Sequence, residues 1–221
     1  MGKRGETMYV KEYMNTNIIT VTKEMPVAEA HALMRDNNIH RLPVVDDADA
    51  KRLVGLLTAG KIREAIKNPG IQIANPMHYL QLLSQMKVKE LMETSVITIT
   101  PNTTLEVAVV WAQRRRMGTL PVVDEGQLVG ILTATDLYKI TTQALGFGKP
   151  GARLHIFNYF RGPAGEITNI ITSHGANILS LFHITLPGTR TEDCIIHLDK
   201  DNASDITDEL RRKGYVVQER S

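Results

Sequence analysis

An internal repeat constrains this chain more than any other feature. The stretch "VKEYMNTNIITVT" from Val10 returns as "VKELMETSVITIT" from Val88, and residues 10–46 and 88–124 are identical at 14 of 37 positions. Both copies end in "LPVVD", at Leu42 and Leu120. After a three-residue difference in turn length, "LVGLLTA" from Leu53 pairs with "LVGILTA" from Leu128 at six of seven positions. One unit has been built twice. The spacer "KNPGIQIANP", punctuated by proline and glycine, is short, so the two copies are expected to pack together.

Each copy predicts the same elements. A short strand (Ile18 to Thr22, Val96 to Thr100) leads to a helix with apolar residues at helical spacing, Val27, Ala30, Leu33 and Met34 in the first copy. A hairpin follows, with arms "LPVVD" and "LVGLLT" and polar turns at Asp46 to Arg52 and Asp124 to Gln127. The second arm ends on a threonine suited to cap a helix, "TAGKIREAI" or "TATDLYKI". Beyond the glycine- and proline-bearing stretch Thr141 to Arg153, the pattern changes. "RLHIFNYF" reads as a strand and "PAGEITNIITSHG" as a helix with Pro163 in its first turn, an apolar face of Ile167, Ile170 and Ile171, and a stop at Gly175. Strand, strand, helix and strand follow, giving β-α-β-β-α-β, the ferredoxin-like order. The fold class is α/β (α+β): two β-α-β-β-α repeats at 8–66 and 88–142, a spacer with a helix at 67–87, a linker at 143–151, and a third domain at 152–221.

Composition narrows the function. The 43% hydrophobic and 23% charged residues are those of an ordinary globular chain. A net charge of +2, from 26 basic and 24 acidic residues, supplies no broad field for nucleic acid, so any anion site must be local. The single cysteine, Cys194, forms no internal disulfide, and "MGKRGETMYV" lacks the apolar stretch of a secretory signal, which together suggest the cytoplasm. No apolar run approaches the roughly 20 residues of a membrane span. His155, His174, His183 and His197 lack close metal-ligand grouping, Cys194 in "EDCIIHL" reads as a buried thiol without an activating base, and no phosphate-cradling glycine loop occurs. With no catalytic constellation, an enzyme is not expected.

The residues that repeat, "IHRLPVVDD" with "LVGLLTAGK" and their second copies, resemble a tandem pair of cystathionine-β-synthase-type (CBS) domains over about residues 8 to 140. The resemblance implies a pseudo-two-fold module with two clefts that bind adenine nucleotides (AMP, ADP or ATP) or adenosyl ligands such as S-adenosylmethionine. Carried over residue by residue, one cleft combines Ile19, Thr20, His40, Arg41 and Pro43 of copy one with Ile131, Thr133, Ala134, Thr135 and Asp136 of copy two. His40 and Arg41 would meet phosphate, and Thr133 and Asp136 the ribose, a carboxylate being suited to a vicinal diol. Two plainer explanations stand beside this. Thr133 with Asp136 three residues on is also a helix cap, worth about 0.5–2 kcal/mol without a ligand. His40 and Arg41 are also what a solvated surface pair looks like. The opposite cleft has Lys61 at the acid's position and Gly118 and Thr119 at the basic pair's, so one tight nucleotide per chain is expected. Lys61 reads as a solvated lysine at a helix start, with attraction of a lone anion as the alternative.

The stretch from Gly162 through "EITNIITSHGANI" to Asn177 resembles the ACT domain, a module that often binds amino acids between paired subunits. Tyr159, Phe160, Arg161 and Gly162 stand where that family usually has Asp-x-Pro-Gly, so an ACT fold used only to dimerise is an equal expectation. A CBS pair followed by an ACT domain is similar to the acetoin-utilisation regulatory proteins. The resemblance implies a regulatory sensor, a homodimer and an unidentified regulated enzyme as partner; a ligand-free interaction module is the alternative.

Overall fold

The computed structural model describes residues 8–47, 51–66, 76–159, 164–185, 188 and 191–220, and divides into two compact units, Met1–Leu137 and Tyr138–Ser221. In the first unit, β1 (Val21–Thr22), α1 (Val27–Asp36), β2 (Arg41–Val45), β3 (Leu53–Thr58) and α2 (Ala59–Ile66) make the first copy. Helices α3 (Pro76–Gln85) and α4 (Val88–Leu91) lead into α5 (Leu105–Arg114), β4 (Thr119–Asp124), β5 (Gln127–Thr133) and α6 (Ala134–Ala144). In copy one, β1 runs parallel to β2 and β2 antiparallel to β3; in copy two, β4 and β5 form the equivalent hairpin. The copies agree down to an irregularity: each hairpin shifts register inside "PVV", at Val44/Val45 and at Val122/Val123.

Strand β2 is buried from Leu42 to Val45 without alternation, as expected of a strand covered on both faces. Leu42, Val44 and Leu57 join Val27, Ala30 and Met34 of α1 and Leu83 of α3 in one core. The expected helix face holds, except that Leu33 is only partly buried at its margin.

The leading strands are shorter than expected. Among the described residues of the leading segments, only Val21–Thr22 forms a strand in copy one, and copy two has a single parallel bridge there, Ile99 to Val122. The cause is an exchange between the copies. Asn15 pairs with Ile131 of copy two through both backbone groups, at 2.9 and 3.0 Å, so residues 16–20 are spent crossing back to their own sheet. Reciprocally, Glu93 pairs with Leu56 of copy one at 2.9 Å in both directions. The same exchange satisfies helix starts that no side chain caps: Val27 N–H donates to Met86 O at 2.9 Å, and Leu105 N–H to Met8 O at 2.9 Å. It also explains the glycine in "LVGLLT" and "LVGILT". Met92 packs against Gly55 and Met14 against Gly130 so closely that a Cβ at either position would collide with the methionine sulfur.

The second unit contains β6 (Arg153–Phe157), α7 (Ala164–Ser173), β7 (Ile178–Thr185), β8 (Glu192–Leu198), α8 (Ser204–Arg212) and β9 (Val216–Arg220). All strand pairs are antiparallel in the order β7-β8-β6-β9, the ferredoxin-like arrangement. Ile167, Ile170 and Ile171 of α7 pack with Ile156, Ile196 and Leu210, as their spacing predicts. Pro163 and the expected motif residues Phe160, Arg161 and Gly162 lie outside the described residues. Cys194 is buried, and burial pushes its thiol up to about 11, which suits an inert core residue. The stretch expected as a linker is instead tied into this unit: Leu145 O accepts from Ser180 Oγ at 2.8 Å, and Gly146 O from Arg153 at 3.0 Å.

One buried polar pair was not foreseen. Asp193 is 3% exposed and pairs with His155 Nε2 at 2.9 Å, while Asn158 N–H donates to its other oxygen at 3.0 Å. Burial pushes this carboxyl up, but the Asn158 N–H and the His155 ring together hold it below the ordinary value. A depressed folded pKa contributes stability above the unfolded value, near pH 4, and loses it as pH falls through the lower folded value. Acid titration of unfolding is expected to show a shallower limb below pH 4 in Asp193→Asn than in the parent; an unchanged limb would remove Asp193 from the account.

Candidate functional site

The first unit holds a cleft of about 440 Å³ at the junction of the two copies. Its walls draw on the crossing segment (Asn15, Asn17, Ile18, Ile19), the end of α1 and start of β2 (Asn37 to Arg41, with Pro43), and the facing hairpin of copy two. Seven of the ten expected residues meet in it: Ile19, His40, Arg41, Pro43, Ile131, Thr133 and Thr135. Three do not line it. Thr20 lies one residue past the wall, where the chain enters its own sheet. Ala134 is held through its backbone N–H, which donates to Gly118 O at 3.1 Å. Asp136 is turned toward Thr133.

That turn settles the local chemistry of Thr133 and Asp136. Asp136 Oδ2 accepts from Thr133 N–H at 2.8 Å and from Thr133 Oγ1 at 2.6 Å, and Asp136 N–H donates back to Thr133 Oγ1 at 3.2 Å. The cap is fully formed, and the acid in the first turn suits the positive end of α6. Asp136 Oδ1 takes part in none of these bonds. Cap and diol acceptor are therefore compatible at one carboxylate, with the cap fixing its orientation.

Arg41 sits across from this cap, on the first residue of β2 and opposite Thr58. Its guanidinium lies over Gly118, with its central carbon 2.8 Å from the point a Cβ would occupy. The glycine at the position of His40 in copy two thus makes room for copy one's arginine. The asparagines at 15, 17, 37 and 38 escaped the sequence reading, although "MNTN" and "DNN" flank the expected motifs; they add amide donors and acceptors to the walls.

A second cleft, of about 490 Å³, opens on the other side of Arg41 and shares His40, Arg41, Gly118 and Thr119 with the first. Lys61, at the acid's position, does not line it: its Nζ pairs with Glu64 at 3.1 Å, and Thr58 Oγ1 caps α2 by accepting from Lys61 N–H at 3.1 Å. The cations that do line it are Arg63, Arg115 and Arg116, which motif matching missed because they lie outside the repeated motif positions. The "RRR" run at 114–116 was their signal. Arg116 has φ 52, the left-handed region, as does its counterpart Asn38 at the end of α1. Asparagine is at home there; an arginine pays about 1–2 kcal/mol.

The architecture defines a class: a duplicated β-α-β-β-α unit whose halves exchange leading segments and enclose clefts at their junction. A family model for the CBS domain matches residues 10–68 and 88–141, and the chain belongs to the CBS-domain family. It is 33% identical over 125 residues to inosine-5'-monophosphate dehydrogenase of Staphylococcus aureus, covering 57% of this chain but only 22% of that enzyme's length. Among solved structures it resembles the Vibrio cholerae protein AcuB, assigned to acetoin utilization (25% identical, TM-score 0.53, 64% of this chain and 95% of that one). It also resembles CBSX2 in complex with AMP (27% identical, TM-score 0.50, 62% of this chain and 97% of that one). Among the described residues, no helix is long and apolar enough to cross a membrane, and no group of three or more His, Cys, Asp or Glu could hold a metal ion.

Proposed function

We propose that the chain is a cytoplasmic, non-enzymatic regulatory sensor whose first cleft binds an adenine nucleotide or adenosyl ligand, one per chain. The observation that carries this reading is the convergence of His40 and Arg41 from one copy with Thr133 and Thr135 from the other in a single cleft. Ile18, Ile19, Pro43 and Ile131 offer apolar walls for a base, and Arg41 a fork of donors for phosphate. Asp136, which does not line the cleft, is held by Thr133 through Oδ2 and leaves Oδ1 as the diol acceptor of this reading. CBSX2, a structural relative, was determined with AMP. Thermal shift against AMP, ADP, ATP and S-adenosylmethionine tests it: a ligand at about 100 times its dissociation constant adds roughly 2.7 kcal/mol. No shift with any of the four would favour the interaction-module alternative.

The chain acts as a homodimer in this reading. Val107, Val110 and Trp111 of α5 form a stripe at helical spacing, each 38–41% exposed, that the chain leaves uncovered among the described residues. Light scattering is expected to give twice the chain mass, and Trp111→Glu to return it toward a monomer; a wild-type monomer at micromolar concentration would contradict it. The second unit serves as an ACT-like dimerisation module. Calorimetry of the chain with the twenty common amino acids is expected to show no binding, and saturable heat from any one would make it a second sensor.

A further inference from the structure

We propose that the second cleft is a polyphosphate site that takes phosphates without a nucleoside of its own. Four arginines line it, Arg41, Arg63, Arg115 and Arg116, with the Arg41 guanidinium over Gly118 and that of Arg115 5.9 Å from the Trp111 ring, and none forms an ion pair with a carboxylate among the described residues. One acid, Glu93, faces them, leaving a clear cationic excess. At the position of Asp136 this half has Lys61, which is occupied with Glu64, so the ribose contact proposed for the first cleft has no counterpart at that position. The C-terminal end of α5 favours cations and accounts for Arg114 and Arg115, but not for an arginine at the left-handed position where copy one uses Asn38. Guanidinium forks match phosphate oxygens bidentately, and several converging in one concavity select a chain of phosphates over a single one. Because Arg41 and His40 belong to both clefts, the phosphates have two possible sources: a free polyphosphate, or the tail of a nucleotide seated in the first cleft. Only the second source rests on the function proposed above.

Calorimetry on the full chain at low and moderate salt, with inorganic tripolyphosphate as probe, tests this. Saturable binding is expected that weakens with salt, falls about tenfold or more in Arg63→Gln and in Arg116→Asn, and is untouched by Asp136→Ala. Arg116→Asn is expected to melt no lower than the parent, since Asn38 occupies the equivalent backbone conformation. Competition separates the sources. If ATP excludes tripolyphosphate and AMP does not, the tail enters the second cleft; if both nucleotides bind alongside it, the cleft takes a free polyphosphate. Absence of saturable tripolyphosphate binding, or binding indifferent to both arginine variants, would overturn the proposal. Failure of AMP to bind would count against the first cleft alone, since the tripolyphosphate result does not depend on it.

Discussion

Asp136→Ala is expected to weaken adenosine and AMP alike, whereas Arg41→Ala weakens AMP and spares adenosine. In the function proposed here, the first change removes the carboxylate that would accept from the ribose hydroxyls, and the second a charge-assisted bond to a phosphate that adenosine lacks. Hydrogen bonds to charged groups are worth about 1.5–3 kcal/mol, so each loss amounts to about tenfold or more in affinity. Asp136→Ala also removes the carboxylate half of the capping box, leaving Thr133 N–H and Oγ1–H without their acceptor while the N–H of residue 136 still donates to Thr133 Oγ1, so its effect must be read as affinity with the melting temperature in hand. Asp136→Asn is the companion variant, because an amide oxygen keeps an acceptor for Thr133 while removing the charge. Lys61→Ala is expected to leave AMP unaffected, its ammonium being engaged with Glu64. Titration calorimetry giving equal AMP affinity in the parent and in Asp136→Ala would reduce Thr133 and Asp136 to a helix cap.

The largest stability effect is expected at Gly151. Its φ is +119, a conformation that side chains rarely adopt, and an added Cβ would collide with the backbone carbonyl of Leu198. That carbonyl cannot swing aside cheaply, because the strands are locked on either side: Ala152 N–H donates to Lys200 O at 2.6 Å and Leu198 N–H to Ala152 O at 2.9 Å. Gly151→Ala therefore combines backbone strain with a clash against backbone, and a loss of about 3 kcal/mol or more is expected. Urea unfolding measures it, and hydrogen exchange at the Ala152 and Leu198 amides locates it. Gly126→Ala is the contrast, since φ there is +84 but a Cβ meets nothing within 4 Å, so strain acts alone.

The repeat made most of the first unit legible, because two copies agreeing at "LPVVD" and "LVGLLT" mark a hairpin more surely than either does alone. The apolar face of α7 was readable for a simpler reason: Ile167, Ile170 and Ile171 can share a core only as a helix. What escaped depended on long-range pairing. Asn15 bonded to Ile131, more than a hundred residues away, leaves no local trace, so the leading strand was drawn too long. At the cleft, the residues with distinctive chemistry, His40, Arg41 and Thr133, were found, whereas the asparagine walls were not. The arginines of the second cleft are not legible from the repeat, because its matching positions hold Lys61, Gly118 and Thr119, while Arg63, Arg115 and Arg116 lie outside them.

The crossing of leading segments has a consequence for how such a molecule arises. A gene encoding one copy alone would make a chain whose first ten residues fit only a sister molecule, and whose hairpin glycine would wait for that sister's methionine. Such a protein would gain stability by pairing, and that gain would rise and fall with its own concentration. Fusing two genes turns that association into an intramolecular one with a high effective concentration. It also ends the symmetry that forced both clefts to be identical. From then on the two clefts are free to diverge, and they have: His40, Arg41 and Thr133 meet in one, and Arg63, Arg115 and Arg116 join Arg41 in the other.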